Sequence, residues 1–305
     1  MLINSSGNSL CSIQPVKFMR KMRGGTQSSL LQAEDGNYYI VKVPDNPQGP
    51  EVLFNEAFGT IIMRFLGLPV PEWRVIALSD EFIDQNREIW IETAGSIRQR
   101  PNAGLCFGSR LVLGSKDETL YELLPRQLFD LIENKDDFIG MLLFDVWAKQ
   151  SDNRQGVFLQ NAKTRSITVT FIDQGDLFER RKLPKRNAHI GASYLDPRVY
   201  RNIDIVNSIP KWEARIRTIT PYALDAFGYT SAIPQEWYRP CKLADLWTEL
   251  IERQQFISGY ITAIKSFLED VNNARHKSEN PRIQDIEIRA FAPQQGAFGL
   301  PRTRC

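Results

Sequence analysis

Four side chains carry the chemistry this sequence offers: one lysine, one glutamate and two aspartates, in that order along the chain. Lys42 lies in Tyr39-Ile40-Val41-Lys42-Val43-Pro44. Strand alternation there puts Ile40 and Lys42 on one face and Tyr39, Val41 and Val43 on the other. Glu56 falls in a predicted helix over residues 51–66, opened by Pro50 and closed by Gly67 and Leu68-Pro69. At about 100° per residue, Phe54, Phe58, Ile61 and Phe65 form one apolar face. Glu56 points nearly the opposite way, among Val52, Gly59 and Met63. A carboxylate set in a second apolar face needs a cationic partner or a raised pKa, and Lys42 is the nearest candidate in sequence. A strand lysine paired with a helix glutamate is an arrangement that holds nucleotide phosphates. Taken singly, each has a plainer reading: a lysine snorkelling to solvent and a glutamate on a half-exposed helix face.

The two aspartates sit in two loops with special surroundings. An apolar helix predicted over residues 138–148 delivers the polar run Lys149-Gln150-Ser151-Asp152-Asn153-Arg154-Gln155-Gly156, and a β-like run follows at once. Asp152, in such a loop, has the chemistry to orient an attacking hydroxyl and accept its proton. After a turn, the run Ile167-Thr168-Val169-Thr170-Phe171-Ile172 ends in Asp173-Gln174-Gly175. A carboxylate at that strand end, facing phosphate, suits Mg²⁺, a hard cation that prefers oxygen. Either aspartate alone reads as an ordinary turn former. The order of the pieces, with 21 residues from Asp152 to Asp173 (173 − 152), is what points to phosphoryl transfer.

The elements that must position these residues fall into three stretches. Residues 1–113 hold short β-like runs (38–43, 72–78 and 105–113) around the single strong helix. They begin with a glycine turn, Gly24-Gly25-Thr26-Gln27-Ser28, whose backbone N–H groups are candidates to hold phosphate oxygens but which, taken alone, reads more readily as a plain surface turn. Asp35-Gly36 is a hairpin signal. Residues 114–272 are mainly helical, interrupted by a hairpin over 156–159 and 167–172. Residues 273–305 are polar, then rich in Pro, Gln and Arg, and read as a poorly packed tail. The expected class is therefore α+β, a two-lobed arrangement of a small β-rich part and a larger helical part with a cleft between them.

Composition narrows the classes further. Over 305 residues, 42% hydrophobic and 24% charged is an ordinary globular balance, and a net charge of +2 makes no demand for nucleic acid. Cys11, Cys106, Cys241 and Cys305 lie far apart without a metal-binding spacing, and two histidines, His189 and His276, argue against a zinc site or a Ser-His-Asp triad. No apolar run reaches the roughly 18–20 residues of a membrane span, and the start of the chain has no signal-like core. A cytoplasmic location is the expectation.

With these residues in view, the sequence resembles the HipA-like kinases, bacterial relatives of the protein-kinase and phosphoinositide-kinase superfamily. The resemblance rests on Gly24-Gly25-Thr26-Gln27, Val41-Lys42, Asn55-Glu56, Cys106-Phe107-Gly108-Ser109, Phe144-Asp145-Val146-Trp147, Ser151-Asp152-Asn153-Arg154-Gln155, Ile172-Asp173-Gln174-Gly175 and Ile233-Pro234-Gln235-Glu236-Trp237-Tyr238. It spans about residues 14–270. It implies a two-lobed protein-kinase-like fold that uses ATP and Mg²⁺. Lys42 would contact ATP phosphates, Glu56 pair with Lys42, Asp152 act as the catalytic aspartate and Asp173 hold the metal, with a nucleotide hinge near Leu111–Gly114 in which Leu113 meets the cofactor. The glycine turn, through Ser28, would lie over the phosphates. One departure stands out. The family's second metal-ligand asparagine, five residues past the catalytic aspartate, is replaced by Val157, which leaves the amides of Gln155 or Asn153 to supply an oxygen. The implied activity is transfer to a protein Ser/Thr hydroxyl, with a nucleotide-binding pseudokinase or a small-molecule or lipid kinase as alternatives. Basic residues Arg180-Arg181-Lys182 and Lys185-Arg186 would attract an acidic partner or simply be solvated. Trp212, Trp237 and Trp247 read as packing residues rather than base-stacking platforms.

Overall fold

Short β-branched and aromatic runs broken by turn residues build the first third of the chain into a sheet. The computed structural model describes residues 11–22, 25, 27–49, 51–93, 97–178, 190 and 193–273. Gly24, Thr26, the basic run 180–186, both histidines and residues 274–305 of the tail lie outside them. Strands β1 (Ser12–Ile13), β2 (Pro15–Lys21), β3 (Ser29–Ala33) and β4 (Tyr38–Lys42) precede helix α1 (Val52–Leu66). Next come β5 (Trp73–Leu78), the short helix α2 (Asp80–Gln85), the strands β6 (Ile91–Thr93) and β7 (Ile97–Gln99), and β8 (Gly104–Arg110). Six of these strands form one sheet in the order β1-β5-β8-β4-β3-β2, with β1 and β5 parallel and the other pairs antiparallel; β6 and β7 pair separately.

The register of this sheet decides where Lys42 points. Lys42 stands opposite Phe107, and directly opposed antiparallel residues share a face. Phe107 packs with Val75, Leu105 and the α1 residues Leu53, Phe54 and Phe58. The other face, with Tyr39, Val41, Ile76 and Cys106, packs against Ile83 of α2 and against Ile89 and Ile91. Helix α1 is therefore roofed by the sheet on one side, and its other side meets the second half of the chain, so that 12 of its 15 residues are buried. It ends where Gly67 turns left-handed (φ 78°), a conformation glycine adopts without penalty. Arg215 then donates to the freed carbonyl of Leu66 at 2.9 Å.

The second half contains β9 (Glu118–Tyr121), α3 (Asp137–Ala148), β10 (Gln155–Asn161) and β11 (Ile167–Ile172). Helices α4 (Ile205–Arg217), α5 (Pro221–Ala226), α6 (Tyr229–Ala232), α7 (Pro240–Gln255) and α8 (Ile257–Asn273) follow. Helix α3 is apolar on every side except at Asp145 and is buried at every position but its first, as such a helix must be. Gly140 lets Trp212 lie flat on it: a Cβ there would sit 2.4 Å from the indole. Trp147, two turns further along α3, donates to the carbonyl of Leu250 at 3.0 Å. Trp212, Trp237 and Trp247 are all buried in the core. One apolar cluster runs from α1 through α3 to α8 and contains Phe58, Phe138 and Leu268 alike, each fully buried aliphatic or aromatic side chain contributing about 1.5–3 kcal/mol.

The class is α+β, and the helices over 51–66 and 138–148 appear as α1 and α3 within a residue. One local expectation is corrected. The hairpin after the Asp152 loop is a three-stranded sheet, β11-β10-β9, because Leu120 and Tyr121, in a stretch read as mainly helical, pair with Leu159 and Phe158. A four-residue strand carries too little periodicity to be legible without its partner. The strand β2 was likewise unread: it mixes basic and apolar residues and its register shifts twice against β3. Among the described residues, no helix is long and apolar enough to cross a membrane.

Candidate active site

The end of β4, the middle of α1 and the loop after β11 converge on one charged cluster. Lys42 Nζ donates to Glu56 Oε1 and, at 2.9 Å, to Asp173 Oδ1. Lys42 is 6% exposed and Glu56 3%, whereas the Asp173 side chain remains 26% exposed. The second carboxylate oxygen of Glu56 accepts the backbone N–H of Gln174 at 3.1 Å, and Gln155 Nε2 donates to Asp173 Oδ2 at 3.2 Å. Residues separated by as many as 131 positions are thus joined by direct hydrogen bonds.

The loop after β11 is moulded onto α1. Asn55 donates to the carbonyls of Gly175 and Leu177, both at 2.9 Å. A Cβ on Gly59 would lie 2.3 Å from Leu177 Cδ1 and 3.1 Å from Gln174 Cβ, so glycine is what lets the loop approach the helix. A Cβ on Gly175 would crowd Val52 and Glu56 at 3.2 and 3.3 Å. Asp173 itself is left-handed (φ 64°), which is uncommon outside glycine and turns its carboxylate toward Lys42.

The loop carrying Asp152 approaches from α3. Lys149 caps α3 in a left-handed conformation, and Ser151 donates through both N–H and Oγ to the carbonyl of Asp176 at 3.2 Å. Asp152 and Asn153 are exposed at the rim, with Asp152 Oδ1 accepting the Asn153 N–H at 2.7 Å. Asp152 is exposed to solvent, and Gln155 joins the cluster directly. Val157 pairs with Thr170 inside the hairpin and offers no side-chain oxygen.

Within the glycine turn, Gln27 has partners of its own. Gln27 (φ 47°) uses its side-chain amide as a strand would use its backbone: Nε2 donates to the carbonyl of Glu92 at 2.8 Å, and Oε1 accepts the Glu92 N–H at 2.5 Å. Gly25 is exposed, Ser28 is buried with its carbonyl accepting the Met22 N–H, and the turn is thereby fastened to β6. Leu113 lies, 52% exposed, in the extended segment between β8 and β9.

The electrostatics of the cluster are asymmetric because one cation serves two carboxylates. Burial disfavours the charge on Lys42, but Glu56 and Asp173 outweigh it and hold the amine above the ordinary lysine range. Burial raises Glu56 to about 7 against the pull of Lys42, with Asp173 pushing the same way. Burial also acts to raise Asp173, yet Lys42 prevails and keeps it below the usual range. Asp176, three residues on, is raised by burial and then by the charges of Asp173 and Asp152. Sequence reasoning did not single out Asp176; its signal was a second carboxylate closing Asp173-Gln174-Gly175-Asp176. Negative charge is in excess here, and the side-chain ligands at hand among the described residues are oxygens. That fits a hard divalent cation held by one or two carboxylates together with a ligand's own oxygens. Among the described residues, no three His, Cys, Asp or Glu side chains form a ready-made metal cage.

An α+β scaffold that presents a buried strand lysine to a helix glutamate and a loop aspartate has the site of a kinase-like protein. The chain belongs to the HipA-like kinase family, whose model matches residues 16–254. Among solved structures it is similar to the Golgi casein kinase, at 11% identity and a TM-score of 0.47 over 84% of this chain and 72% of that one. The Golgi casein kinase with Mn/ADP bound gives 11% and 0.46 over 84% and 74%. The Helicobacter pylori proinflammatory kinase CtkA gives 15% and 0.43 over 84% and 96%. No curated protein sequence matches the chain.

Proposed function

We propose that this protein is an ATP- and Mg²⁺-dependent phosphotransferase of two-lobed architecture that transfers the γ-phosphate to a hydroxyl, most specifically a Ser or Thr of a protein. In this reading, residues 1–113 are the small lobe, 114–272 the large one and 273–305 a tail. The observation that carries it is the buried lysine shared by Glu56 and Asp173. Lys42, oriented by Glu56, presents a positive charge to the nucleotide's phosphates. Asp152, exposed and without an ion-pair partner among the described residues, orients the acceptor hydroxyl and takes its proton. Asp173 is the metal ligand, with the amide of Gln155 beside it; rotated about its last torsion, that amide turns its oxygen to the metal, and Asn153 is the other amide in the loop. Mg²⁺, when bound, neutralises the charge that develops on the transferring phosphate. Gly24, Gly25, Thr26 and Ser28 supply backbone N–H groups over the phosphates, with Gln27 fixing the turn rather than meeting the ligand, and Leu113 lines the nucleotide's base side.

A second reading is favoured by Val157, which sits in the hairpin where a further oxygen ligand would be required. On that reading the chain binds nucleotide and turns it over poorly. Mg²⁺-dependent ATP turnover, with radiolabel transfer to protein, separates the two when wild type is compared with Asp152→Asn and Lys42→Ala. Turnover lost in both variants supports the phosphotransferase. Nucleotide binding with turnover equal in all three proteins supports the regulator, and no nucleotide binding at all removes both.

A further inference from the structure

Arg154 stands two residues past Asp152 and is 2% exposed, although its loop neighbours Ser151, Asp152, Asn153 and Gln155 are all exposed. Both edges of its guanidinium are engaged. Nη2 and Nε donate to Asp145 Oδ1 and Oδ2 at 2.5 and 3.1 Å. Nη1 donates to the carbonyls of Ile172 and Asp173 at 3.2 and 3.0 Å, with Gln174 Oε1 at 3.4 Å. Its backbone N–H reaches the carbonyl of Ser193 at 3.4 Å. One side chain therefore ties α3, the Asp152 loop and the Asp173 loop together.

The grip falls on a particular place. The carbonyls of residues 172 and 173 flank the φ and ψ of Asp173, the residue held left-handed at φ 64°. Such a conformation is disfavoured for a non-glycine residue and persists only where its surroundings hold it. Fixing both carbonyls fixes the direction of the Asp173 Cβ and hence of its carboxylate. Asp145 in turn fixes the plane of the guanidinium through a two-point contact that a lysine ammonium cannot reproduce. Were the pair present for stability alone, apolar residues of similar volume would serve as well or better.

We propose that Asp145 and Arg154 are a positioning pair: Arg154, oriented by Asp145, clamps the 172–173 backbone and so aims the Asp173 carboxylate at the metal and at Lys42. This rests on the phosphotransferase reading and adds to it two residues that touch neither nucleotide nor acceptor. The test measures Mn²⁺ binding, by the loss of the free-ion electron paramagnetic resonance signal, with a non-hydrolysable ATP analogue present. It compares wild type with Arg154→Lys, Asp145→Asn and the apolar double variant Asp145→Leu/Arg154→Met. Amide hydrogen exchange over residues 170–176 and thermal melting are recorded on the same samples. Folded variants should bind Mn²⁺ roughly 10–100-fold more weakly, the range seen when residues behind a metal ligand are changed. Exchange should accelerate over 170–176 and stay unchanged in α8. The double variant should melt cooperatively and share the loss. Wild-type Mn²⁺ affinity in any folded variant overturns the proposal, as does failure of all three to fold, which would make the pair a fold element only. If wild type itself binds neither Mn²⁺ nor nucleotide, the phosphotransferase reading falls and takes this proposal with it.

Discussion

Two ion-paired clusters lie within a few residues of each other and differ in what surrounds them. Around Lys42, one cation faces two carboxylates, and one of these, Asp173, is open to solvent. Around Arg154, one cation faces one carboxylate, both about 1% exposed, with the remaining donors satisfied by backbone carbonyls. The first cluster carries charge left over for a ligand. The second is closed, its charges matched within the protein. A closed pair in the interior is costly to break, because removing one partner strands the other in a medium that cannot solvate it. An open cluster can lose a member with less penalty, because Glu56 can take up a proton and Asp173 can meet water.

The comparison is most sharply tested by Arg154→Ala, which leaves Asp145 buried and unpaired. It should lower unfolding free energy by about 3–5 kcal/mol in denaturant titration. A loss below about 1 kcal/mol would place Arg154 in the open class with Lys42. Asp152→Asn should do the reverse: its side chain is exposed, so stability should stay within about 0.5 kcal/mol of wild type, while phosphate transfer should fall roughly 10²–10⁴-fold. Gly59→Ala tests how tightly the open cluster's loop is seated on α1. The added methyl meets Leu177 and Gln174, and should cost about 1–3 kcal/mol by calorimetry. ATP turnover should fall as well, since the displaced loop carries Asp173.

The smallest effect is in the pH dependence. The Glu56 carboxyl, raised by burial from 4.5 to about 7, contributes stability that is present below about 4.5 and lost as pH rises through about 7. Asp145, raised by burial to about 6 against Arg154, slopes the same way. Thermal melts of wild type should therefore fall from pH 5 to pH 8, and Glu56→Gln should flatten part of that decline. Activity should run in the opposite sense, kcat/KM rising through about pH 7 as Glu56 ionises and orients Lys42. A rising limb that survives unchanged in Glu56→Gln would assign the titration to another group.

Some of this was legible before any fold was known. The apolar periodicity of 51–66 and 138–148 marks α1 and α3 because helical spacing repeats within one segment and needs no partner to be seen. The same pattern set Glu56 within an apolar face and Lys42 opposite the Tyr39 and Val41 side of its strand. The sequence by itself therefore marked Glu56 as a charge set among apolar residues, since that follows from local helix geometry alone. Only the tertiary structure decided how those charges are shared. That Asp173 joins Lys42 depends on a left-handed backbone and on Gly59, which is visible only as a helix glycine until Leu177 is seen against it. That Gln27 fastens its turn to Glu92, and that Arg154 turns inward between exposed neighbours to grip residues 172 and 173, follows from packing between segments distant in the chain. Side chains of one type can serve solvent, backbone or ligand, and the choice is made by which unpaired carbonyl or carboxylate the fold leaves within about 3 Å of them.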